Sequence, residues 1–275
     1  MTQISGREYS DCHSEREITP RYDGQQGPFC PHYKKCSESN KARISTELIK
    51  GTWPYIGVGY GRARVSGHEI KLLFVAMERG GQFCPQKEPN FKDTQRVFED
   101  GISQPTNPHL GGTAQLIRHL VDEKSPASCA VQLALTNAVK CVWHTCSQSS
   151  DSKLTMQKNC REHLRAEIEE LEPDLIITQG AHPRDTLLKL YPSVPVDQFP
   201  GPPPAGKGRR KTEVRVVQDL FVILITPHPA RCKGWAWQRQ SKEEPQPPLP
   251  KFLQDAVNRA RLEFLNMRGY GLSAG

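Results

Sequence analysis

Four short apolar runs stand out along a chain that is otherwise rich in polar positions. They are IKLLFVAM (70 to 77), CAVQLALTNAV (129 to 139), DLIITQG (174 to 180) and DLFVILITPHP (219 to 229). Each is rich in β-branched and large aliphatic residues and nearly continuous in hydrophobicity, which is typical of strands covered on both faces. The pattern therefore predicts four buried strands.

Between these runs, apolar residues recur with the spacing of a helix, most clearly after Thr155. Apolar residues recur there at helical intervals until Pro173, which ends the helix: Met156, Cys160, Leu164, Ile168 and Leu171. Cys160 therefore belongs to the buried stripe of this helix. The alternation of strands and helices predicts an α/β fold, a three-layer sandwich around a central, largely parallel four-stranded sheet.

All four apolar runs are followed by polar or turn residues: MERGG, TNAVKC, TQGAHP and TPHPAR. In open parallel sheets, ligands bind beyond the carboxyl ends of the strands. We therefore expect the functional site at that edge of the sheet.

The chain is interpreted as one domain over residues 1–237, followed by a proline-rich linker at 238–250. The linker contains RQSKEEPQPPLP, a proline-rich and charged composition that favours an exposed connection. Residues 251–275 carry a last helix, clearest from about 251 to 266, that we expect to pack on the same domain.

Composition and charge narrow the class of protein. The chain has 275 residues, 36% of them hydrophobic, which is enough for one substantial core. No apolar run is as long as the about 18 residues that a membrane-spanning helix needs. The polar stretch MTQISGREYSDCHSERE does not resemble a signal peptide. We expect a cytoplasmic protein. A net charge of +7 suggests a polyanionic partner, although proteins that bind no nucleic acid also carry such a charge.

Nine cysteines are an odd number in a chain without a secretory signal, so metal binding or buried thiols are favoured over disulfides. Cys30 and Cys36 form a CX5C pair, and Cys141 and Cys160 a CX18C pair. Two pairs of thiolates from separate segments suit a zinc or an iron-sulfur site, and these spacings do not choose between them. The alternative is four scattered buried thiols. Cys129 is interpreted as a core residue within a strand.

The motifs GGTAQLIRHL, TNAVKC, KNC, DLIITQG and TPHPAR occur in this order between residues 111 and 231. Together they resemble the iron-sulfur branch of the uracil-DNA glycosylase superfamily, and the similarity extends over residues 70 to 235. The resemblance implies that Cys30, Cys36, Cys141 and Cys160 hold a structural 4Fe-4S cluster. The family's first pair is usually CXXC, so Cys12 is the alternative to the CX5C pair found here.

The resemblance also implies roles for two residues at strand ends. Asn137 would hydrogen-bond the edge of a flipped-out pyrimidine, and because its amide can be turned either way, uracil and cytosine both fit. His228 would donate to the pyrimidine O2 as negative charge develops on the departing base. Asn137 therefore serves recognition, while Cys141 and Cys160 anchor the loop that follows it.

Two departures from the family change the expected substrate. Met77 in AMERGG stands where the family has a carboxylate, so Glu78 is predicted to be the catalytic acid, with Glu88 and Asp93 as alternatives. His109 in PHLGG replaces the aromatic ring that stacks on uracil, and the glycines after it suggest a roomier pocket.

Basic and aromatic residues are predicted to bind DNA, by gripping phosphates and by filling the space of the extruded base. They lie in MERGG, in GKGRRK (206 to 211) and in ARCKGWAWQR (230 to 239): Arg79, Lys207, Arg209, Arg210, Lys211, Arg231, Lys233 and Trp235. The alternative is a solvated loop and packed tryptophans.

These residues together predict a monofunctional DNA glycosylase that acts on an altered pyrimidine. The expected base is a bulky 5-modified cytosine of phage DNA, such as glucosylated hydroxymethylcytosine, which implies a role in anti-phage defence. The alternatives are a uracil-DNA glycosylase of base excision repair and a non-catalytic iron-sulfur protein that binds DNA. We expect a monomer whose partner is DNA, with no membrane contact and no nucleotide cofactor.

Overall fold

The computed structural model describes residues 30–38, 48–49, 54–77, 98–100, 108–143, 154–200, 211–229 and 249–270. In this part of the chain the helices are α1 (Tyr33–Glu38), α2 (Pro108–Leu120), α3 (Pro126–Val131), α4 (Leu154–Asn159), α5 (Arg161–Leu171), α6 (Ala181–Leu190) and α7 (Lys251–Met267). The strands are β1 (Leu48–Ile49), β2 (Tyr55–Ile56), β3 (Ala63–Val65), β4 (His68–Ile70), β5 (Leu72–Ala76), β6 (Leu133–Asn137), β7 (Val142–Trp143), β8 (Leu175–Gln179), β9 (Val194–Pro200), β10 (Lys211–Val217) and β11 (Phe221–Thr226).

The main sheet has seven strands in the order β2-β6-β5-β8-β11-β10-β9. Its centre, β6-β5-β8-β11, is parallel and is built from the four predicted apolar runs, so the predicted fold class is confirmed. The sheet is wider than the four strands predicted, because β2 adds antiparallel to β6, and β10 and β9 extend the other side as an antiparallel hairpin. Two small sheets, β1-β7 and β3-β4, lie outside it.

The prediction of one strand over residues 129 to 139 is wrong in its first half. Residues 126 to 131 form α3, and β6 begins only at Leu133. Ser125 and Pro126 start this helix: Pro126 occupies its first turn, and the Ser125 Oγ accepts from the Ser128 amide at 3.5 Å. Cys129 is a core residue as predicted, 1% exposed, but it belongs to a helix.

The helical stripe predicted after Thr155 is confirmed. All five of its apolar residues are buried. The stripe runs through two consecutive helices, because the chain makes a turn at Cys160 between α4 and α5. Glu172 then adopts a left-handed conformation with φ of 45° and ends α5 just before Pro173.

Helices cover both faces of the sheet. On one face, alternate strand residues such as Phe74 and Leu135 pack against α2, α3 and α7. On the other face, their neighbours in the strands, such as Val75 and Ala134, pack against α5 and α6. The result is the predicted three-layer sandwich, with α7 against the same core as the strands. Within the described residues, no helix combines the length and the apolarity needed to cross a bilayer.

Candidate functional site

The four parallel strands end together at one edge of the sheet. Ala76 is paired with Asn137, and Thr226 with Gln179, so the last residues of neighbouring strands lie side by side. Asn137 is the last residue of β6 and is 4% exposed, and His228 follows β11 by two residues. The structure therefore places both predicted recognition residues at this carboxyl edge.

The spacing of the strands sets the width of the site. Strand β6 is separated from β11 by β5 and β8. Three interstrand steps of about 4.8 Å give roughly 14 Å between the backbone that carries Asn137 and the backbone that carries His228. A pyrimidine flanked by two side chains fits in that width.

The end of β6 is held by the neighbouring strand. The amide of Ala138 donates to the carbonyl of Ala76 at 2.8 Å, and the amide of Val139 donates to the carbonyl of Met77 at 2.9 Å. These bonds fix the backbone on the carboxyl side of Asn137. They also place Met77, which stands where a carboxylate was expected, directly beside the loop that follows Asn137.

His109 lies next to His228, although the two residues are far apart in sequence. The first turn of α2 carries His109, whose ring is stacked on that of His228 with centroids 5.6 Å apart and planes 23° apart. Gly180, with φ of 108°, lies against His228, since a Cβ at this position would be 3.6 Å from the His228 Cβ. The structure thus brings His109 and His228 together, and Asn137 lies at the same edge of the sheet.

His109 is held in its neutral form. Burial, and to a smaller extent the neighbouring His228, lower the pKa of His109 to about 4, against the opposite effect of a side-chain hydrogen bond with Gln179. A neutral imidazole has one donor and one acceptor nitrogen. His109 can therefore offer hydrogen-bonding groups at neutral pH without adding charge next to His228.

Sequence reasoning missed a buried polar pair behind His109. Gln179, the last residue of β8, is 1% exposed, and Thr113 on α2 is completely buried. The Gln179 Nε2 donates to the Thr113 Oγ1 at 3.0 Å, and Thr113 Oγ1 lies 3.0 Å from the His109 carbonyl oxygen. The available signal was a glutamine at the end of an apolar run, in TQGAHP.

Three of the four predicted ligand thiols lie in one buried cluster. Cys36, Cys141 and Cys160 pack there with Val139 and Met156. The Cys36 Sγ accepts from the Asn159 Nδ2 at 3.2 Å, and the Cys160 Sγ accepts from the Lys140 amide at 3.4 Å. Among the described cysteines, none forms a disulfide.

Cys30 is also close to this cluster. Burial is the main reason why the pKa of the Cys160 thiol is raised to about 11, and Cys30 and Cys36 raise it further, while contacts with Lys140 act against this. Three thiols therefore pack together with Cys30 nearby, and thiolates are soft metal ligands. Among the described residues, no three or more His, Cys, Asp or Glu side chains stand in a metal-ligating arrangement.

A buried ion pair lies beside the thiol cluster. The Lys140 Nζ donates to the Glu167 Oε2 at 2.5 Å and to the Thr136 Oγ1 at 2.6 Å, and the Thr136 hydroxyl lies 2.6 Å from the same carboxylate oxygen. Both charged side chains are 1% exposed. This network joins β6, the loop after Asn137 and α5.

Several predicted residues lie outside the described part of the chain: Glu78, Arg79, Lys207, Arg209, Arg210, Arg231, Lys233, Trp235, and the alternatives Cys12, Glu88 and Asp93. Lys211 is the first residue of β10, and only its backbone is described.

The structure does describe where the segments that contain these residues join the sheet. Lys211 is paired with Pro200, and β10 runs antiparallel to β11 with Glu213 opposite Ile225, so residues 201–210 connect two strands at the carboxyl edge. Met77 and Pro229 also follow strand ends at this edge. The predicted DNA-binding segments are therefore joined to the sheet on the side of Asn137 and His228.

Comparison with known proteins agrees with this arrangement. The family model of the uracil DNA glycosylase superfamily matches residues 85–251, which is more than half of the chain and includes Asn137, His228 and the thiols of Cys141 and Cys160. No match was found among curated proteins. At the level of the superfamily the resemblance seen in the sequence is confirmed, and the chain belongs to the uracil DNA glycosylase superfamily.

Proposed function

We propose that the protein is a monofunctional DNA glycosylase that hydrolyses the N-glycosidic bond of an altered pyrimidine and leaves an abasic site. Membership of the superfamily implies DNA as the substrate and a glycosylase reaction in general. The observation that carries the proposal for this chain is that Asn137 and the stacked pair of His109 and His228 lie at the same carboxyl edge of the parallel sheet.

The base has to leave the duplex stack before this edge can contact it. Asn137 then hydrogen-bonds its Watson-Crick edge, because one side-chain amide offers both donors and an acceptor. His228 donates to the pyrimidine O2, where negative charge develops as the glycosidic bond breaks. The stacked His109 stays neutral, so it places no charge beside His228.

The attacking water requires a group that positions it or stabilises the positive charge on the sugar. Met77 cannot supply this, and the next residue in the chain is Glu78. We retain Glu78 as the proposed catalytic carboxylate. The Val139 amide donates to the Met77 carbonyl, so the residue before Glu78 lies beside the loop that follows Asn137.

The thiols of Cys30, Cys36, Cys141 and Cys160 are proposed to hold a 4Fe-4S cluster. Cys36, Cys141 and Cys160 share one buried cluster, and Cys30 is near enough to Cys160 to raise its pKa. When bound, the cluster would supply a structural crosslink between the amino-terminal segment, the loop after Asn137 and the α4-α5 junction. An iron-sulfur protein is brown after anaerobic purification, whereas a zinc protein is colourless.

The proposed base is a bulky 5-modified cytosine, as found in phage DNA, and the corresponding role is anti-phage defence. A histidine in place of a larger aromatic ring supports a pocket that is roomier and more polar than one built for uracil. Uracil is the second candidate, and the match to the superfamily model favours it.

The experiment is abasic-site formation on duplexes that carry uracil, hypoxanthine, 5-hydroxymethylcytosine or its glucosylated form. Wild type is compared with His228→Ala and with His119→Ala, a control on α2 whose side chain is exposed. We expect wild type and the control to release one altered pyrimidine and His228→Ala to lose most activity. Binding to DNA without an abasic product on any duplex would refute the proposal and indicate a non-catalytic binding protein.

A further inference from the structure

The side chain of Lys140 folds back toward the strand end that carries Asn137. Its Nζ donates to the Thr136 Oγ1 at 2.6 Å, so a side-chain contact joins two residues that stand on either side of Asn137 in the chain. The Thr136 hydroxyl donates to the Glu167 Oε2 at 2.6 Å, and the Lys140 Nζ donates to the same oxygen at 2.5 Å. Residues 136 to 140 therefore form a loop that is closed by side chains and fixed to α5 at one carboxylate oxygen.

This network and the Asn137 side chain lie on opposite faces of the sheet. Leu135 packs in the core on the side of α2. Because successive side chains of a strand alternate in direction, Asn137 faces this side and Thr136 faces the other, where it meets Glu167 of α5. His109 is on α2. The network therefore holds the strand end from behind the face on which Asn137 and His109 lie.

Two buried charges are a costly way to stabilise a strand end. The side chains of Lys140 and Glu167 are both 1% exposed, so the loss of hydration offsets most of their attraction. An apolar pair of similar volume is often as stable. What the charges add is short, directional hydrogen bonds. The network is therefore better suited to fixing the geometry of residues 136 to 140 than to adding stability.

We propose that Lys140, Glu167 and Thr136 are positioning residues that set the orientation of the Asn137 amide toward the flipped-out base. This rests on the proposed function of the same site. The three residues act through the backbone of residues 136 to 140 and do not touch the base. Recognition by a single amide depends strongly on its orientation, and a misplacement of about 1 Å can cost on the order of a hundredfold in rate.

The test separates stability from base recognition. The main variant combines Lys140→Met with Glu167→Leu, so that no charge stays buried. Thr136→Val removes the hydroxyl at nearly constant shape, and Thr136→Ser keeps the hydroxyl. The matched control combines Lys71→Met with Glu172→Gln, which removes an ion pair whose side chains are 40% and 74% exposed. This pair lies at the opposite end of the sheet, where β5 begins and after α5 ends.

Three quantities are measured for each protein. Urea unfolding gives the stability, and abasic-site formation gives kcat/KM on the altered duplexes named above. The base preference is the Kd for the unmodified duplex divided by the Kd for the altered duplex that is bound most tightly. Both Kd values are measured with His228→Ala present, to stop turnover. The base preference is also measured with Asn137→Ala present.

We expect the main variant to keep most of the stability of wild type but to lose about tenfold in base preference and in kcat/KM, as for the loss of one hydrogen bond to the base. Thr136→Val should lose base preference in the same direction, while Thr136→Ser and the control pair should retain most of it. With Asn137→Ala present, the main variant should reduce the preference no further, because the residue through which the network acts is gone. If the main variant does not fold, the comparison of Thr136→Val with Thr136→Ser decides the matter.

The outcomes separate the two proposals. A preference in Kd that is lost in the main variant and in Thr136→Val, without abasic product from wild type on any duplex, would support this inference and refute the glycosylase function. Abasic-site formation with a preference that both variants retain would overturn this inference and leave the glycosylase function standing. A preference that falls just as much when Asn137→Ala is present would also overturn it, because the network would then act on the site in general and not through Asn137.

Discussion

Removing one partner of the buried pair of Lys140 and Glu167 should cost far more stability than removing one partner of an exposed ion pair. At the observed 2.5 Å between Nζ and Oε2, the Coulomb attraction is about 6 to 7 kcal/mol at an effective dielectric constant of about 20. Desolvation of two charges offsets most of this gain. The net contribution of the intact pair is therefore small, but the loss of one partner leaves a charge buried without compensation.

We expect Lys140→Met to lower the free energy of unfolding by about 3 to 5 kcal/mol, because the buried Glu167 carboxylate would lose its cationic partner. The double variant Lys140→Met with Glu167→Leu should recover most of this loss, since no charge then remains buried. Lys251→Met, at an exposed pair in α7 with side chains 87% and 41% exposed, should cost at most about 0.5 kcal/mol.

The assay is urea unfolding followed by far-ultraviolet circular dichroism, with iron content measured for each variant so that loss of the proposed cluster is recognised. Wild type, Lys140→Met, Glu167→Leu and the double variant form a double-mutant cycle, and the coupling energy is read from it directly. A loss below about 1 kcal/mol for Lys140→Met, or a double variant as unstable as the sum of the single ones, would refute the reasoning.

Two further predictions concern pH and the backbone. Because the pKa of His109 lies near 4 in the folded protein and near 6.5 in the unfolded chain, its contribution to stability is complete above pH 6.5 and is lost as pH falls to 4. His109→Phe should therefore lose less stability than wild type over that window in urea unfolding, and an identical slope for both would contradict this. Gly57→Ala should unfold or nearly unfold the protein, because its Cβ would lie 2.2 Å from the Val131 carbonyl oxygen. Gly67→Ala, with φ of 81° and open space around it, should cost only about 1 to 2 kcal/mol in thermal or urea unfolding, so equal effects at the two glycines would contradict the clash.

The centre of the fold was predictable from the sequence, and its borders were not. The parallel strands are buried on both faces, so their sequences are continuous apolar runs. The added strand β9 exposes most of its side chains and contains prolines at both Pro195 and Pro200, so no apolar run marks it. Helix α3 was missed because its apolar residues continue directly into β6, and only the Ser125-Pro126 start signal separates the two.

The candidate site was predictable where a strand end or a motif marked it. Asn137 and His228 were found in this way. The contacts of Gln179 with Thr113, and of Lys140 with Glu167, join residues 66 and 27 positions apart. Such pairs depend on how helices pack on the sheet, and a single sequence contains no local signal for them. Because glutamine and lysine are usually exposed, a sequence gives no sign that one of them is buried against a partner.

Besides the Lys140 side chain, two sets of contacts hold the loop from Asn137 to Cys141, and they meet at Val139. Backbone bonds to Ala76 and Met77 fix the chain next to Asn137, whereas the thiols of Cys141 and Cys160 pack with Val139, farther from Asn137. We therefore expect Cys160→Ser to abolish bound iron and to weaken DNA binding, while the ratio of rates on two different bases stays unchanged. Fluorescence anisotropy with a labelled duplex measures the affinity, and abasic-site formation measures the ratio. If the ratio changed as much as the affinity did, the cluster would be shaping the base pocket itself, and the division between the two sets of contacts would be wrong.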